Sequence, residues 1–257
     1  MSGFKNCPVQ TFMNSKKDYS TTTAILLFAQ REKTESALKP IASCSKQNVL
    51  LWKKMNDKAT KTIQKTNLPY FISNETNQVG STFGEKITHS IQQIFAKGFE
   101  KVIVVGNDCI ALKAQHLLQA ERDLQIYDLV IGSDNSGGAY LIGVTKSKFK
   151  TAPFQTIPWQ TKNVFSALQT LRNIRAIAFL PSLNDCNSAS DFKKAIHQLP
   201  YFSSLKKVLF SFLFVSKQQN KFEINFIGYP YHSLFFNKGS PFLQDIHLSF
   251  LNSKIFS

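Results

Sequence analysis

Lys101-Val-Ile-Val-Val-Gly-Asn-Asp-Cys109 is the stretch that decides the fold. Its apolar run is short and nearly continuous, the pattern of a strand buried on both faces of a parallel sheet. Gly106, Asn107 and Asp108 follow where such a strand presents its carboxyl end. Upstream, Thr23-Ala-Ile-Leu-Leu-Phe-Ala29 has the same character, and 69–73 reads as a shorter strand. Between them, 48–65 carries Val49, Leu50, Trp52, Met55, Ala59 and Ile63 at helical spacing. Residues 82–97 repeat that period through Phe83, Ile87, Ile91, Ile94 and Phe95, with Gly98 as a stop signal. Thr82 and Glu85 have the T-x-x-E spacing of a capping box.

Downstream of Asp108, the spacing predicts a helix over 111–122 and strands over 128–131 and 140–144 around a glycine-containing turn. A helix over 161–171, a strand over 174–180 and a helix over 188–199, capped by Ser188 or Asn187, complete the series. Strands alternating with helices predict an α/β three-layer sandwich with a mostly parallel central sheet. Residues 24–28, 101–105 and 174–179 are expected to be its central strands. We divide the chain into a polar segment (1–21), one α/β domain (22–199) and an aromatic-rich C-terminal extension (200–257). The extension reads as a lid, a packing appendage or a dimer contact, with a membrane-surface patch as the alternative.

A chain of 257 residues, 43% hydrophobic and 18% charged, suits a globular protein with a sizeable core. The formal charge of +15 raises the question of nucleic acid, but Arg31, Arg122, Arg172 and Arg175 are the only arginines. The other cations are lysines scattered along the chain, whereas phosphate and base recognition favour the guanidinium fork. A lysine-rich solvated surface is the simpler account. The four cysteines include no C-x-x-C pair, which suits a reduced, cytoplasmic setting. Residues 1–22 lack the apolar segment of a signal peptide, and the longest apolar stretch, near 208–215, is far short of the ~20 residues of a membrane helix. The five histidines form no ligand spacing.

In open α/β sheets the ligand lies beyond the carboxyl ends of the strands. Four polar stretches fall there: 33–40, 106–109, 133–138 and 184–191. With their neighbours they resemble a bacterial family of glycosyltransferase-A-like proteins, relatives of the sugar-phosphate and cofactor nucleotidyltransferases with the nucleotide-diphospho-sugar transferase fold. Gly80-Ser-Thr-Phe-Gly-Glu85 is similar to that family's G-x-x-L-G-E, and Val104-Val-Gly-Asn-Asp-Cys109 to its I-G-S-D-C. Gly137-Gly-Ala-Tyr-Leu-Ile-Gly143 resembles G-G-Y-Y-L-I-G, and Ile157-Pro-Trp-Gln-Thr161 resembles I-P-W-S-T.

The resemblance implies a metal-dependent glycosyl- or nucleotidyltransferase using a nucleotide-activated donor. It implies Asp108 as the catalytic carboxylate, and Asp108, Asp185 and Asn187 as ligands of magnesium or manganese. Lys33, Thr34, Lys39 and Asn107 would contact the nucleotide. Gly137 and Gly138 would admit the backbone close to substrate, or simply form a hairpin turn. Trp159 would stack on a substrate ring, or pack as a buried aromatic. Three positions depart from the family's pattern: Glu35 stands where arginine is expected in the first loop, Ser136 replaces an aspartate before the glycine pair, and Asn187 replaces the second aspartate of D-x-D. The alternative is therefore a catalytically degenerate member with a nucleotide-binding or scaffolding role.

Overall fold

Thr23–Phe28 (β1) is buried along its whole length, so both of its faces have to be covered. In this computed structural model, which describes residues 22–171, 176–201 and 203–213, two helical layers cover them. The elements that follow are α1 (Glu32–Leu38), α2 (Ser45–Gln64), β2 (Tyr70–Ser73), α3 (Phe83–Ala96), β3 (Lys101–Val105) and α4 (Ala114–Asp123). Then come β4 (Leu129–Asp134), β5 (Ala139–Thr145), α5 (Thr151–Gln155), α6 (Val164–Gln169), β6 (Ile177–Leu183), α7 (Ala189–His197) and α8 (Ser204–Ser211).

The six strands form one sheet in the order β2-β1-β3-β5-β4-β6. All neighbouring pairs are parallel except those of β5, which runs antiparallel to β3 and β4. Alternation along each strand sorts the core into two faces. Ala24, Leu26, Phe28, Val102 and Val104 face α3, with Ile87, Ile91, Ile94 and Phe95 packed on them. Ile25, Leu27, Ile103 and Val105 face α2 and α4 through Ala59, Ile63, Leu117 and Ala120. The expected capping box opens α3: Thr82 accepts from the Glu85 amide, and Glu85 accepts from the Thr82 amide.

A third cluster lies along the first half of α2, where Leu51, Trp52 and Met55 meet Phe192, Ala195 and Ile196 of α7 and Leu209 of α8. From sequence alone the run 205–215 suits either a buried helix or a strand and 223–227 suits a strand; the described part of the first run is helical in α8, and 223–227 lies outside the described residues. None of the described helices is long and apolar enough to cross a membrane.

Three expectations need correction. The apolar run expected as a third central strand is β6 at the sheet's edge; residues 174 and 175 lie outside the described residues. Its single neighbour among the described residues is β4, which leaves Phe179 53% exposed. An apolar run tells that a strand exists, whereas its place in the sheet depends on partners far away in sequence. The stretch after β1, read as a loop, contains the helix α1. Its sequence, Glu-Lys-Thr-Glu-Ser-Ala-Leu, has no glycine and is built of residues compatible with a helix. On α2, Leu50 is exposed and the neighbouring Leu51 is the one buried.

Candidate active site

Because β5 alone is reversed, its first residue lies beside the last residues of its neighbours: Val105 pairs with Leu141, and Ser133 with Ala139. The ends of β1, β3, β4 and β6 and the start of β5 therefore share one edge of the sheet. A cleft of about 700 Å³ opens there. Of the residues singled out from the sequence, Lys39, Asn107, Asp108, Gly138, Trp159, Asp185 and Asn187 line it; Lys33, Thr34 and Gly137 do not. Asp108 and Asp185 are brought together by backbone pairing. Cys109 forms an antiparallel bridge with Asp185, and the Cys186 amide donates to the Asp108 carbonyl at 3.0 Å. Lys58 of α2 fixes the turn after Asp108 by donating to the carbonyls of Cys109 and Leu112, at 3.1 and 2.7 Å. Burial pushes its ammonium down to about 8.

The Asp108 side chain is not free. Its Oδ2 lies 2.7 Å from Lys39 Nζ, which is also 3.2 Å from Glu35 Oε1. Burial works against the Lys39 charge, but attraction to Asp108 and then to Glu35 outweighs it and holds the ammonium protonated well above the usual lysine range. Burial raises the Glu35 carboxyl, with Lys39 opposing. The Lys39 backbone is clamped in place: its carbonyl accepts from Asn48 Nδ2 and from Trp52 Nε1, both at 3.0 Å. Asn48 is fully used, since its Oδ1 also accepts from the amides of Ile41 and Ala42.

Asp185 is the opposite case. Its Oδ1 is shut off from solvent and has no hydrogen-bond partner among the described residues. Burial first, then repulsion by Asp108 and Asp134, raises its carboxyl well above the usual range, against the opposing pull of Lys39 and of the weak Cys109 thiol donor beside the carboxyl. Asp134 is a cleft residue that the family pattern did not point to. Its Oδ1 accepts from the amides of Ser136 and Gly138, at 2.7 and 2.6 Å, so it shapes the turn before β5. Asp-Asn-Ser-Gly-Gly carries the chemistry of an Asx turn, and that was the available signal. Glu35 was visible in the sequence only as a misplaced acid. The apolar side of the cleft, which includes Phe28, Phe83, Ile87, Val104 and Ile142, comes from core positions and had no signal of its own.

The remaining residues are engaged by the chain itself. Asn107 Nδ2 donates to Asn56 Oδ1 at 2.7 Å, which ties the end of β3 to α2. Glu75 draws Thr34 away from the cleft. Its Oε1 accepts from Thr34 Oγ1 and Arg31 Nε, both at 3.0 Å, and its Oε2 accepts from the Arg31 amide at 2.9 Å. Lys33 is exposed. Trp159 donates from Nε1 to the Phe154 carbonyl at 3.0 Å and packs its ring against Phe83 and Phe154, leaving part of it on the cleft wall.

The glycine pair is explained by close approach within the protein. Gly137 has φ +91°, and a Cβ there would collide with the Lys162 carbonyl oxygen; at Gly138 it would lie 2.8 Å from Asp134 Oδ2. Gly137→Ala should therefore destabilise the domain by at least about 2 kcal/mol, from strain plus a backbone collision that no rotamer relieves. Chemical denaturation would read this as a lower midpoint. A change under about 0.5 kcal/mol, the range of ordinary surface substitutions, would refute the packing account.

Among the described residues, no group of three or more His, Cys, Asp or Glu side chains is arranged to hold a metal. A hard divalent cation needs fewer, because it commonly takes one or two carboxylates and completes its shell with water and substrate phosphate. Asp108 and Asp185 would make such a pair, and the orphaned Oδ1 of Asp185 is the oxygen that would gain most from a cation.

Residues 40–161 match the profile of a family described as "Uncharacterized protein conserved in bacteria (DUF2064)". No curated protein matches the chain. Among solved structures, a Desulfovibrio desulfuricans G20 protein provisionally named a nucleotide-diphospho-sugar transferase superposes with a TM-score of 0.63 at 20% identity, covering 75% of this chain and 95% of its own. A Mycobacterium tuberculosis H37Rv protein solved with manganese gives 0.44 at 8% identity, covering 70% and 100%. Molybdopterin-guanine dinucleotide biosynthesis protein A from Archaeoglobus fulgidus gives 0.35 at 14%, covering 67% and 95%. The last two likenesses are too distant to bear on function. Residues 40–161 thus resemble the DUF2064 profile, and the sheet has the fold of the nucleotide-diphospho-sugar transferases.

Proposed function

We propose that the cleft binds a nucleotide-activated donor together with magnesium or manganese, and that the protein is a glycosyl- or nucleotidyltransferase. The observation that carries this reading is the partnerless, solvent-excluded Asp185 Oδ1 beside Asp108. A buried carboxylate oxygen with no partner costs stability, and a cation would remove that cost. Asp108 and Asp185 would hold the ion, with Asn187 as a neutral oxygen donor at the rim. Such a cation neutralises phosphate charge during transfer. Lys39 would supply a second positive charge to the donor's phosphates. Trp159 and the apolar wall would flank the ligand and exclude water. Gly138 and Asp134 would keep the turn before β5 rigid beneath it.

A binding-only role is the second reading, and a specific arrangement favours it. In place of a glycine-rich phosphate loop the chain has α1, and the Glu75 carboxylate already accepts from the Arg31 amide at its start. The two readings separate in a calorimetric titration of nucleoside diphosphates and nucleotide sugars with and without magnesium or manganese. Metal-dependent binding, followed by turnover of a bound nucleotide sugar, is the expected result. Metal-independent binding without turnover would support the binding role, and absence of all binding would remove both.

A further inference from the structure

We propose that Lys39 is a built-in counter-ion for Asp108, so that the cleft admits a divalent cation only together with a diphosphate-bearing ligand that draws Lys39 away. The inference rests on the metal and nucleotide reading of the cleft and states how the two ligands depend on each other. Lys39 Nζ lies 2.7 Å from Asp108 Oδ2. An ammonium at hydrogen-bond distance occupies the oxygen a metal would require, and two cations sharing one carboxylate oxygen repel strongly at that range. Free metal therefore meets a carboxylate already neutralised.

The geometry also gives Lys39 a way to leave. Its backbone is held by Asn48 and Trp52, so only the side chain has to turn. That side chain is 24% exposed, reaches the cleft and has the Trp52 ring 5.6 Å from Nζ. Glu35, at 3.2 Å, remains as a second anionic partner when Asp108 is released. An arriving diphosphate offers oxygens to Lys39 and to the metal together. Each ligand then raises the affinity of the other, and by linkage the enhancement is equal in both directions.

The test is a manganese titration of the full chain with and without saturating inorganic pyrophosphate, corrected for the complex formed without protein. In the parent, pyrophosphate should strengthen manganese binding at least about tenfold, within the usual range of coupling between sites. The double variant Glu35→Gln/Lys39→Met removes the charged pair together and leaves no buried Glu35 charge unpaired. It should bind manganese alone at least about tenfold tighter than the parent, with the pyrophosphate enhancement lost. Glu35→Gln alone commits Lys39 to Asp108 and should weaken binding of manganese alone. Because the two variants move in opposite directions, a general loss of structure cannot reproduce the pattern. Manganese affinity unchanged in both variants, in a parent that binds metal with nucleotide, overturns the counter-ion and leaves the site intact. Failure of parent and variants to bind manganese under any condition overturns the metal site and the counter-ion with it.

Discussion

Asp185→Asn should melt higher than the parent in the absence of metal, and should lose metal-dependent ligand binding. Asp185 Oδ1 is buried without a partner, and burial together with Asp108 and Asp134 raises its carboxyl. Between the unfolded value near 3.8 and the raised folded value, the native state keeps a proton that the unfolded chain has released. Stability from this group is thus complete at low pH and is lost as pH rises through that window. The amide cannot ionise, so the variant should lack this decline and gain about 1–3 kcal/mol at neutral pH. Metal-dependent affinity should fall at least tenfold, equivalent to about 1.4 kcal/mol, because one of two anionic ligands is gone. Thermal melts across pH, with and without manganese, would measure both effects. A variant less stable than the parent at every pH would show that Asp185 is a structural partner and not a strained ligand.

The legibility of the fold follows from the range over which each signal acts. β1 and β3 could be read because each holds four or five consecutive buried apolar residues, Ala24 to Phe28 and Val102 to Val105, and that is written locally. The Thr82 and Glu85 cap was legible for the same reason, since both partners lie within one turn. The edge position of β6 was not, because it is set by pairing with β4 some fifty residues earlier. Nor was α1: it carries Glu35 and ends at its C-cap Lys39, and the meaning of both depends on Asp108, 69 positions from Lys39. In the site, strand-end logic brought Asp108 and Asp185 together correctly. It failed for Thr34, whose hydroxyl is taken by Glu75 across 41 positions. Asp134 lies two residues from Ser136, where the family pattern has its aspartate, so position-by-position matching left it without a role, while its turn chemistry was plain in the sequence.

Asp108→Asn should abolish metal-dependent nucleotide binding as Asp185→Asn does, yet move stability in the opposite direction. Asp108 carries the cleft's closest ion pair, to Lys39, and its loss leaves that buried ammonium with Glu35 alone. Hydrogen bonds between charged groups contribute about 1.5–3 kcal/mol, and the asparagine oxygen retains part of this, so a loss of about 1–2 kcal/mol is expected. The fold should survive. The Asp108 carbonyl still accepts from the Cys186 amide, and Lys58 still holds the following turn. The two aspartates thus differ: Asp108 is paired with Lys39, whereas Asp185 Oδ1 is buried without a hydrogen-bond partner among the described residues. Denaturation and metal-dependent calorimetry on both variants would reveal opposite stability shifts with a shared loss of binding. If Asp108→Asn binds nucleotide and metal as the parent does, Asp108 is no ligand. If it fails to fold, its main role is to neutralise Lys39.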